Sequence, residues 1–469
     1  MAAVQSSTVA PNTAEYAGDE IQALVLDPGY SSVRAGFAGE DCPKSVVPSY
    51  YGSLPSGSDS KLLFGDNTIH TTLPGLEIKN PMSRDTWVED WDTATKLWEY
   101  AITSRLTNIK PGNPMENGLN DPVQNGDGDV DMEAVDEEEK CLEENPLLMT
   151  EPSWNTGKQR EKAIEISMEQ WGCPAFWLAR DGVLAAFAGG RSTALVVDIG
   201  ASGMTITPVH DGMVMKKGVQ RSPLGGDWVS NQCRLLFSTA SPPVTITPHY
   251  LLTSKAPVDA GTRPQAVYKT FAPGSEPHDS FRKLQEERVV RDFKETIVHV
   301  WQGPGSLSSP QNEDIARGYP GKPFEMPDGY NQIYNLERFK TVEGMFDLKA
   351  AYTDSQNPPP QKEHLFTSII SASLSNVDTD LRPSLLNNIV LCGAGSQLNG
   401  LPERINQEVT GLYPNPRVRI HAPGNMYERR FASWIGGSIL SSLGTFHQMW
   451  ISRKEYEENG AGVVEKRCK

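Results

Sequence analysis

The chain has 469 residues, a formal net charge of −16 and an isoelectric point near 5.1, enough for one large domain or two to four ordinary ones. No run of 18 apolar residues exists, which excludes a membrane-spanning helix, and the start "MAAVQSSTVAPNTAEYAGDE" lacks the basic and apolar regions of a secretory signal. Six cysteines (Cys42, Cys141, Cys173, Cys233, Cys392, Cys468) with no C-x-x-C pair point away from a disulfide scaffold or structural zinc and towards a reducing compartment, and an acidic bulk surface is poorly suited to wrapping nucleic acid.

In chain order, a tail to about Gly18 is irregular. "ALVLDPGYSSVRAGFAG" (23–39) then reads as a strand, Asp-x-Gly, a polar turn and a second strand. "SLPSGSDS" (53–60) is irregular, and Thr86–Thr103 has a helical pattern. Residues 108–142 form an acidic insert. From Asp127 to Glu144 ten acids face one base, Lys140, after a stretch rich in Asn, Gly and Pro, so disorder is expected. Asp127, Asp129, Asp131 and Glu138 occupy calcium-loop positions, but Met132 stands where the turn needs glycine, and a solvated acidic loop is the better reading. Further helix patterns cover Lys158–Gln170, Asp279–Val300, Glu363–Ser373 and, on a broad apolar face, residues 434–450. Ser254–Glu276 and Gly303–Pro327 read as irregular. Strand-like and helix-like runs alternate, as an α/β fold requires.

The strand of residues 23–39 has a counterpart. "ALVVDIGASGMTITPVHDG" (194–212) repeats its plan, with Asp198-x-Gly200 matching Asp27-x-Gly29 at an offset of 171 residues. That spacing is too long for a solenoid and implies a duplicated domain. An acid at the end of a buried strand, followed by a glycine hairpin, lets backbone N–H groups approach phosphate oxygens. Carboxylates from two facing copies can hold a magnesium ion through its waters. "NNIVLCGAGSQLNGLPERINQEV" (387–409) adds a strand, a Gly393-x-Gly395 turn and a helix. Leu398 replaces the last glycine of a dinucleotide fingerprint and no P-loop exists, which disfavours both of those sites; the two matched hairpins favour a nucleotide cleft between two lobes, and the third turn reads either as support for a nucleoside or as a plain strand-to-helix turn.

These elements, in this order, resemble the actin family from Leu24 to Cys468. The resemblance rests on "AGFAGEDCPKSVVPS" (35–49), "NPLLMTEPSWNTGKQREK" (145–162), "RDFKE" (291–295), "MPDG" (326–329) and "WIGGSILSSLGTFHQMWISRKEYEENG" (434–460). "VEDWD" (88–92), "GRSTAL" (190–195), "VHDG" (209–212) and "ERRFASWIGGSILSSLGTF" (428–446) are similar to the nuclear actin-related branch. The resemblance implies two lobes on duplicated ribonuclease-H-like cores. A small lobe would span 19–185, a large lobe 186–430, and residues 431–469 would return to the small lobe. Between the lobes it implies ATP and Mg2+, with Asp27 and Asp198 facing the metal and Gly29, Ser31 and Gly200 the phosphates. Lys294, Glu295, Gly393, Gly395 and Arg430 would surround the adenosine. A partner groove would be built from Phe187, Ala188, Gly190 and Gly212 together with Ile435, Ile439, Leu440, Leu443, Thr445 and Met449.

The departures bear on activity. Tyr30 and Ser31 stand where conventional actins carry Ser-Gly, Arg34 where they carry Lys, and Ala201 and Ser202 where they carry Asp-Gly. The family's water-positioning glutamine aligns with Asp181 and a nearby histidine with Thr205. An ionised Asp only accepts hydrogen bonds and repels phosphate charge, so ATP is expected to be a structural ligand with very slow turnover. The loop at 50–62 has no counterpart of the family's subunit-plugging sequence. The expectation is a non-enzymatic, non-polymerising nuclear scaffold subunit of chromatin-remodelling and histone acetyltransferase complexes. Its partners would be monomeric actin, an amphipathic helix of a scaffold subunit, and nucleosomes, histones or linker DNA. A filament-forming ATPase is the alternative, and a sugar or acetate kinase is a third reading that the actin-like C-terminal helix opposes.

Overall fold

The computed structural model describes residues 22–56, 59–107 and 140–469. Two sheets carry the molecule, and both have the same strand order. In the first, Leu24–Pro28 pairs antiparallel with Ser32–Phe37, which pairs with Ser45–Pro48. On its other side lie the parallel strands Leu147–Glu151 and Ala175–Arg180, and Ile451–Ser452 closes the edge. In the second, Ala194–Ile199 pairs antiparallel with Met204–His210, whose far side takes Met213–Val214 and Gln220–Ser222. Ile389–Cys392 and Ile420–His421 extend the sheet in parallel. A meander of three strands followed by parallel crossovers is the ribonuclease-H-like plan, so the duplication expected from the matched Asp-x-Gly runs is present in the topology. Strands buried on both faces explain why Leu24, Val25, Leu26 and Leu195, Val197 read as continuous apolar runs.

Each sheet has its own core. Trp98, Trp171, Phe176 and Trp434 fill the first, and Phe237, Phe293, Phe366 and Ile405 the second. The helix Asp181–Ala188 joins them. Its Leu184 belongs to the first core, while Ala185 and Ala186 pack with Ala194, Val196, Val390 and Cys392. The lobe boundary placed at 185 by sequence therefore falls inside a helix that serves both sides. The helix Ala432–Ser442 crosses it closely: a Cβ on Gly436 would lie 2.0 Å from the Leu184 carbonyl oxygen. Trp434, fully buried, donates from Nε1 to the Val25 carbonyl at 3.1 Å, tying the C-terminal return to the central strand of the first sheet.

Several sequence expectations need correction. "SLPSGSDS" lies largely in a hairpin, Tyr51–Ser56 with Asp59–Leu63, which forms a three-stranded sheet with Glu77–Lys79. The 254–276 stretch contains the strand Gln265–Tyr268, which pairs with Leu252–Ala256. Within 303–327 lies the helix Pro310–Arg317, started by Ser309 as N-cap with Pro at the first position, then the strand Lys322–Glu325. The helix expected at 86 begins at Trp91, because Asp90 caps it by accepting from the Thr93 N–H at 3.1 Å. Its companions run Gly157–Glu165 plus a π turn Ile166–Gln170, Asp279–Ile297 and Phe366–Ser375. The 434–450 pattern splits into Ala432–Ser442 and a 3₁₀ turn Gly444–Gln448. The tail to Gly18, and the acidic insert as far as 139 with its calcium-loop positions, lie outside the described residues. The insert's expected end is an ordered turn: Cys141 and Leu142 are buried in the first core, and the Lys140 Nζ donates to the Glu169 carbonyl at 2.8 Å.

Candidate nucleotide cleft and partner groove

The two Asp-x-Gly hairpins face each other across a cleft of 890 Å³. All ten residues expected at the nucleotide line it: Asp27, Gly29, Ser31, Asp198, Gly200, Lys294, Glu295, Gly393, Gly395 and Arg430. The hairpins are built alike. The Gly29 N–H donates to the Ser32 carbonyl at 3.1 Å, and the Gly200 N–H to the Gly203 carbonyl at 2.9 Å. Arg34 lies opposite Asp27 in the ladder as Thr205 lies opposite Asp198. Residues opposite one another share a face, so each acid looks into the cleft beside its partner.

The two acids are compensated differently. Asp27 accepts from the Arg34 guanidinium at 2.5 Å and from the Thr150 hydroxyl at 2.6 Å. Asp198 Oδ1 is fully buried and has no hydrogen-bond partner among the described residues. Burial first, with Asp27 adding and Arg34 opposing, pushes its carboxyl up to about 6. Asp181, at the start of the helix Asp181–Ala188, accepts from the Gly182 N–H at 2.6 Å and the Ser153 hydroxyl at 3.0 Å. Burial, then the Asp198 charge, raise it to about 7. Both acids line the cleft, and packing against the surrounding protein removes most of their water.

Glycine at 393 is a packing requirement. Its φ is +84°, and a Cβ there would lie 2.2 Å from Asp198 Oδ1 and 2.4 Å from the Ile199 carbonyl. Lys294 donates to the Gly226 carbonyl and the Ser230 hydroxyl, both at 2.9 Å, tying the helix Asp279–Ile297 to the start of the helix Gly226–Thr239, whose Gly226 N–H donates to the Gly200 carbonyl of the second hairpin at 2.9 Å. Arg430 and Arg34 both lie over the Phe431 ring, at 5.3 and 5.7 Å, so two cations face the same part of the cleft. An orphaned buried carboxylate oxygen, an arginine pair and two glycine hairpins suit a polyanion carrying a hydrated divalent cation. Among the described residues, no three His, Cys, Asp or Glu side chains group closely enough to form a direct metal cage.

Residues that the sequence reading did not select also line the cleft: Tyr50, Arg84, Asp85, Trp154, Arg221 and Arg291. Tyr30, noted only as a departure, is among the lining residues too. Most of these join the two sides across the cleft, a long-range relation with no local pattern.

The expected partner groove is part surface and part core. Ile439, Leu443 and Met449 are 39%, 39% and 45% exposed, and Thr445, Gly190 and Gly212 are exposed as well. Phe187 and Ala188 are half-buried, while Ile435 and Leu440 are half-buried against the first core.

A duplicated ribonuclease-H-like core with facing Asp-x-Gly hairpins defines an actin-type protein, and the family model for actin matches residues 18–469: the chain belongs to the actin family. It is 58% identical over 472 residues to Actin-related protein 4 of Emericella nidulans, covering 99% of this chain and 100% of that protein. Actin-related protein 4 of Neurospora crassa is 51% identical over 470 residues, 99% of this chain and 98% of that protein. A protein named SWI/SNF and RSC complexes subunit arp42, from Schizosaccharomyces pombe, is 33% identical over 468 residues, 96% of this chain and 100% of its own.

Proposed function

We propose that this chain is a non-polymerising, actin-like scaffold subunit of chromatin-remodelling complexes and of a nucleosomal histone acetyltransferase complex. In this reading it works in the nucleus, pairs with monomeric actin on an amphipathic helix of a larger subunit, and aids engagement of nucleosomes, histones or linker DNA. The observation that carries the reading is the exposed apolar row Ile439, Leu443 and Met449, on and just beyond a helix packed against the inter-lobe helix Asp181–Ala188. A helix laid into such a row buries apolar surface at about 25 cal/mol per Å². Likeness to a protein named as a SWI/SNF and RSC subunit supports the chromatin setting.

The cleft would hold ATP with Mg2+. Asp198 and Asp27 would face the hydrated ion, which would neutralise phosphate charge when bound. Arg34 and the turns at Gly29, Ser31 and Gly200 would meet the phosphates, with the Gly29 and Gly200 N–H groups spent on closing their own turns, and Lys294, Glu295, Gly393, Gly395 and Arg430 would meet the adenosine. Slow turnover is the expectation from Asp181: one of its oxygens is already taken by the Gly182 N–H and Ser153, which leaves a single oxygen for an attacking water where the family's glutamine offers a donor and an acceptor together. The hairpin strands Tyr51–Ser56 and Asp59–Leu63 pair with Glu77–Lys79 and carry no counterpart of the family's subunit-plugging sequence, which supports a non-polymerising chain.

Bound nucleotide is to be extracted from the full chain and phosphate release followed for hours, with sedimentation for filaments. Retained ATP with negligible release supports the reading; steady release with filaments would sink it. Leu443→Asp, on an exposed position, should change stability by less than about 0.5 kcal/mol yet weaken capture of the scaffold helix about tenfold or more. Unchanged capture would remove the groove from the mechanism.

A further inference from the structure

The helix Asp279–Ile297 belongs to the large lobe at one end and to the small lobe's outer sheet at the other. Val289, Val290, Phe293 and Ile297 sit in the second core. Phe281, near its start, is fully buried among Leu63, Ile69 and Leu76 of the 59–80 segment, with Tyr250 packed edge-on at 5.2 Å. Polar contacts surround this plug. The Ile78 N–H donates to the Ser280 hydroxyl at 2.8 Å. Arg288 donates to Asp66 Oδ1 and to His70 Nδ1, both at 2.6 Å.

A second crossing lies deeper. Arg221, on the strand Gln220–Ser222 of the second sheet, stacks at 4.0 Å on Trp154, which follows the strand Leu147–Glu151 of the first. Arg221 also pairs with Asp85 at 2.7 Å, and Trp154 Nε1 donates to the Asp85 carbonyl at 3.0 Å. Between the two crossings, Glu287 and Arg291 of the same helix line the cleft. The cleft is therefore bounded by the helix pair Asp181–Ala188 and Ala432–Ser442 on its inner side and by these contacts on its outer side.

We propose that Phe281 in its apolar socket, with Arg288 and Arg221 as flanking clasps, is a latch that holds the two lobes closed and sets the rate at which the cleft's contents exchange. The plug dominates. Exposed ion pairs are screened and contribute little, whereas withdrawing a fully buried ring exposes both it and its socket. Arg221 adds more than an ordinary surface pair because its planar guanidinium both stacks and pairs. The consequence for exchange rests on the nucleotide reading above; the closure itself does not.

The test uses the full chain as Phe281→Ala and as Arg221→Ala with Arg288→Ala, the second in case the first fails to fold. Lys255→Ala, which breaks a comparably exposed pair with Glu325 within the large lobe, is the control. Two readouts are taken: amide hydrogen exchange of residues 59–80 without added nucleotide, and release of a preloaded fluorescent ATP analogue. The latch requires faster amide exchange across 59–80 in both variants and none in the control. It also requires release roughly tenfold faster for Phe281→Ala and about threefold faster for the double variant. Arg221→Lys in place of Arg221→Ala should fall between, keeping charge without the stack. Wild-type amide exchange and release in both variants overturn the latch. If no variant, nor the parent, takes up the analogue, the nucleotide reading fails while amide exchange still decides closure.

Discussion

The two lobes set the same backbone around the same carboxylate and supply it with different neighbours. In the first sheet Asp27 has Arg34 opposite it across the hairpin and, one step beyond the Leu26–Met149 pairing, Thr150 on the parallel strand; both donate to it. In the second sheet the corresponding positions beside Asp198 are Thr205 and Cys392. Neither donates to it, and Asp198 Oδ1 is orphaned. A duplicated fold thus fixes where the acids stand, while two residues per copy decide whether the protein itself balances the charge. The first hairpin carries a finished salt bridge and the second an acid with no donor of its own.

The comparison breaks most severely if the first hairpin loses its cation. Arg34→Met leaves Asp27, whose side chain is 8% exposed, with only the Thr150 hydroxyl. An uncompensated buried charge costs about 3–5 kcal/mol, and access to cleft water brings the expectation to about 2–4. Chemical denaturation at neutral pH reads this directly. A loss below about 1 kcal/mol would mean that the pair is solvated and the asymmetry between the copies is illusory.

The second effect is a pH dependence carried by Asp198 and by Asp181 on the helix that joins the two cores. Asp198 and Asp181 hold their protons more tightly folded than unfolded, at about 6 and about 7 against the ordinary carboxylate range. The folded state therefore binds more protons between the unfolded and folded values, and stability falls as pH rises through 6 and 7. One oxygen of Asp198 is sealed and the acid still touches cleft water, so the expected loss from pH 5 to pH 8 is on the order of 2 kcal/mol. Unfolding should be measured in chelator with nucleotide removed. Asp198→Asn should flatten the slope, and saturating Mg2+ with nucleotide should do the same. A slope of opposite sign would show that neither acid is desolvated.

How far this asymmetry was legible depends on which relation carried it. The paired Asp-x-Gly runs stand in the chain as local patterns, so the duplication and the facing hairpins could be read from them, whereas Ser31, Lys294, Glu295 and Arg430 were placed at the cleft only through the family resemblance. The strands Tyr51–Ser56 and Asp59–Leu63 were missed because Ser, Gly and Pro mask a pattern that forms only against each other and Glu77–Lys79. The helix Pro310–Arg317 was missed although Ser309-Pro310 is a start signal, because it is short and lies among glycines. Thr150 and Cys392 could not be recognised as equivalents: each becomes a neighbour of its acid only through parallel register, which no local spacing encodes. The same holds for Arg221 and Trp154, contributed by opposite lobes.

Register suggests an exchange between the copies. Thr150→Cys in the first sheet removes a hydroxyl donor from Asp27 while Arg34 remains. The expected loss is about 1–1.5 kcal/mol, with no new pH dependence between 6 and 8. A loss as large as that of Arg34→Met would place the hydroxyl rather than the guanidinium as the main compensation.

The reciprocal change, Cys392→Thr, tests the other half and has the smallest effect. Cys392 is 1% exposed and lies directly across from Asp198 in the parallel ladder. A thiol is a weak donor, whereas a threonine hydroxyl in the position of Thr150 reaches a carboxylate strongly enough to hold it ionised. The added methyl must fit among Ala185, Val196 and Val390, so overpacking offsets part of the gain. The net expectation is about 0.5 kcal/mol of stabilisation at pH 8, where Asp198 is charged, and none at pH 5, where it is protonated. The sharper readout is the slope: Asp198's share of the loss between pH 5 and pH 8 should shrink, while the share belonging to Asp181 persists. A slope identical to that of the parent would mean that the orphaned oxygen is set by the approach of Gly393 rather than by the missing hydroxyl, and that the two copies differ in backbone geometry as well as in side chains.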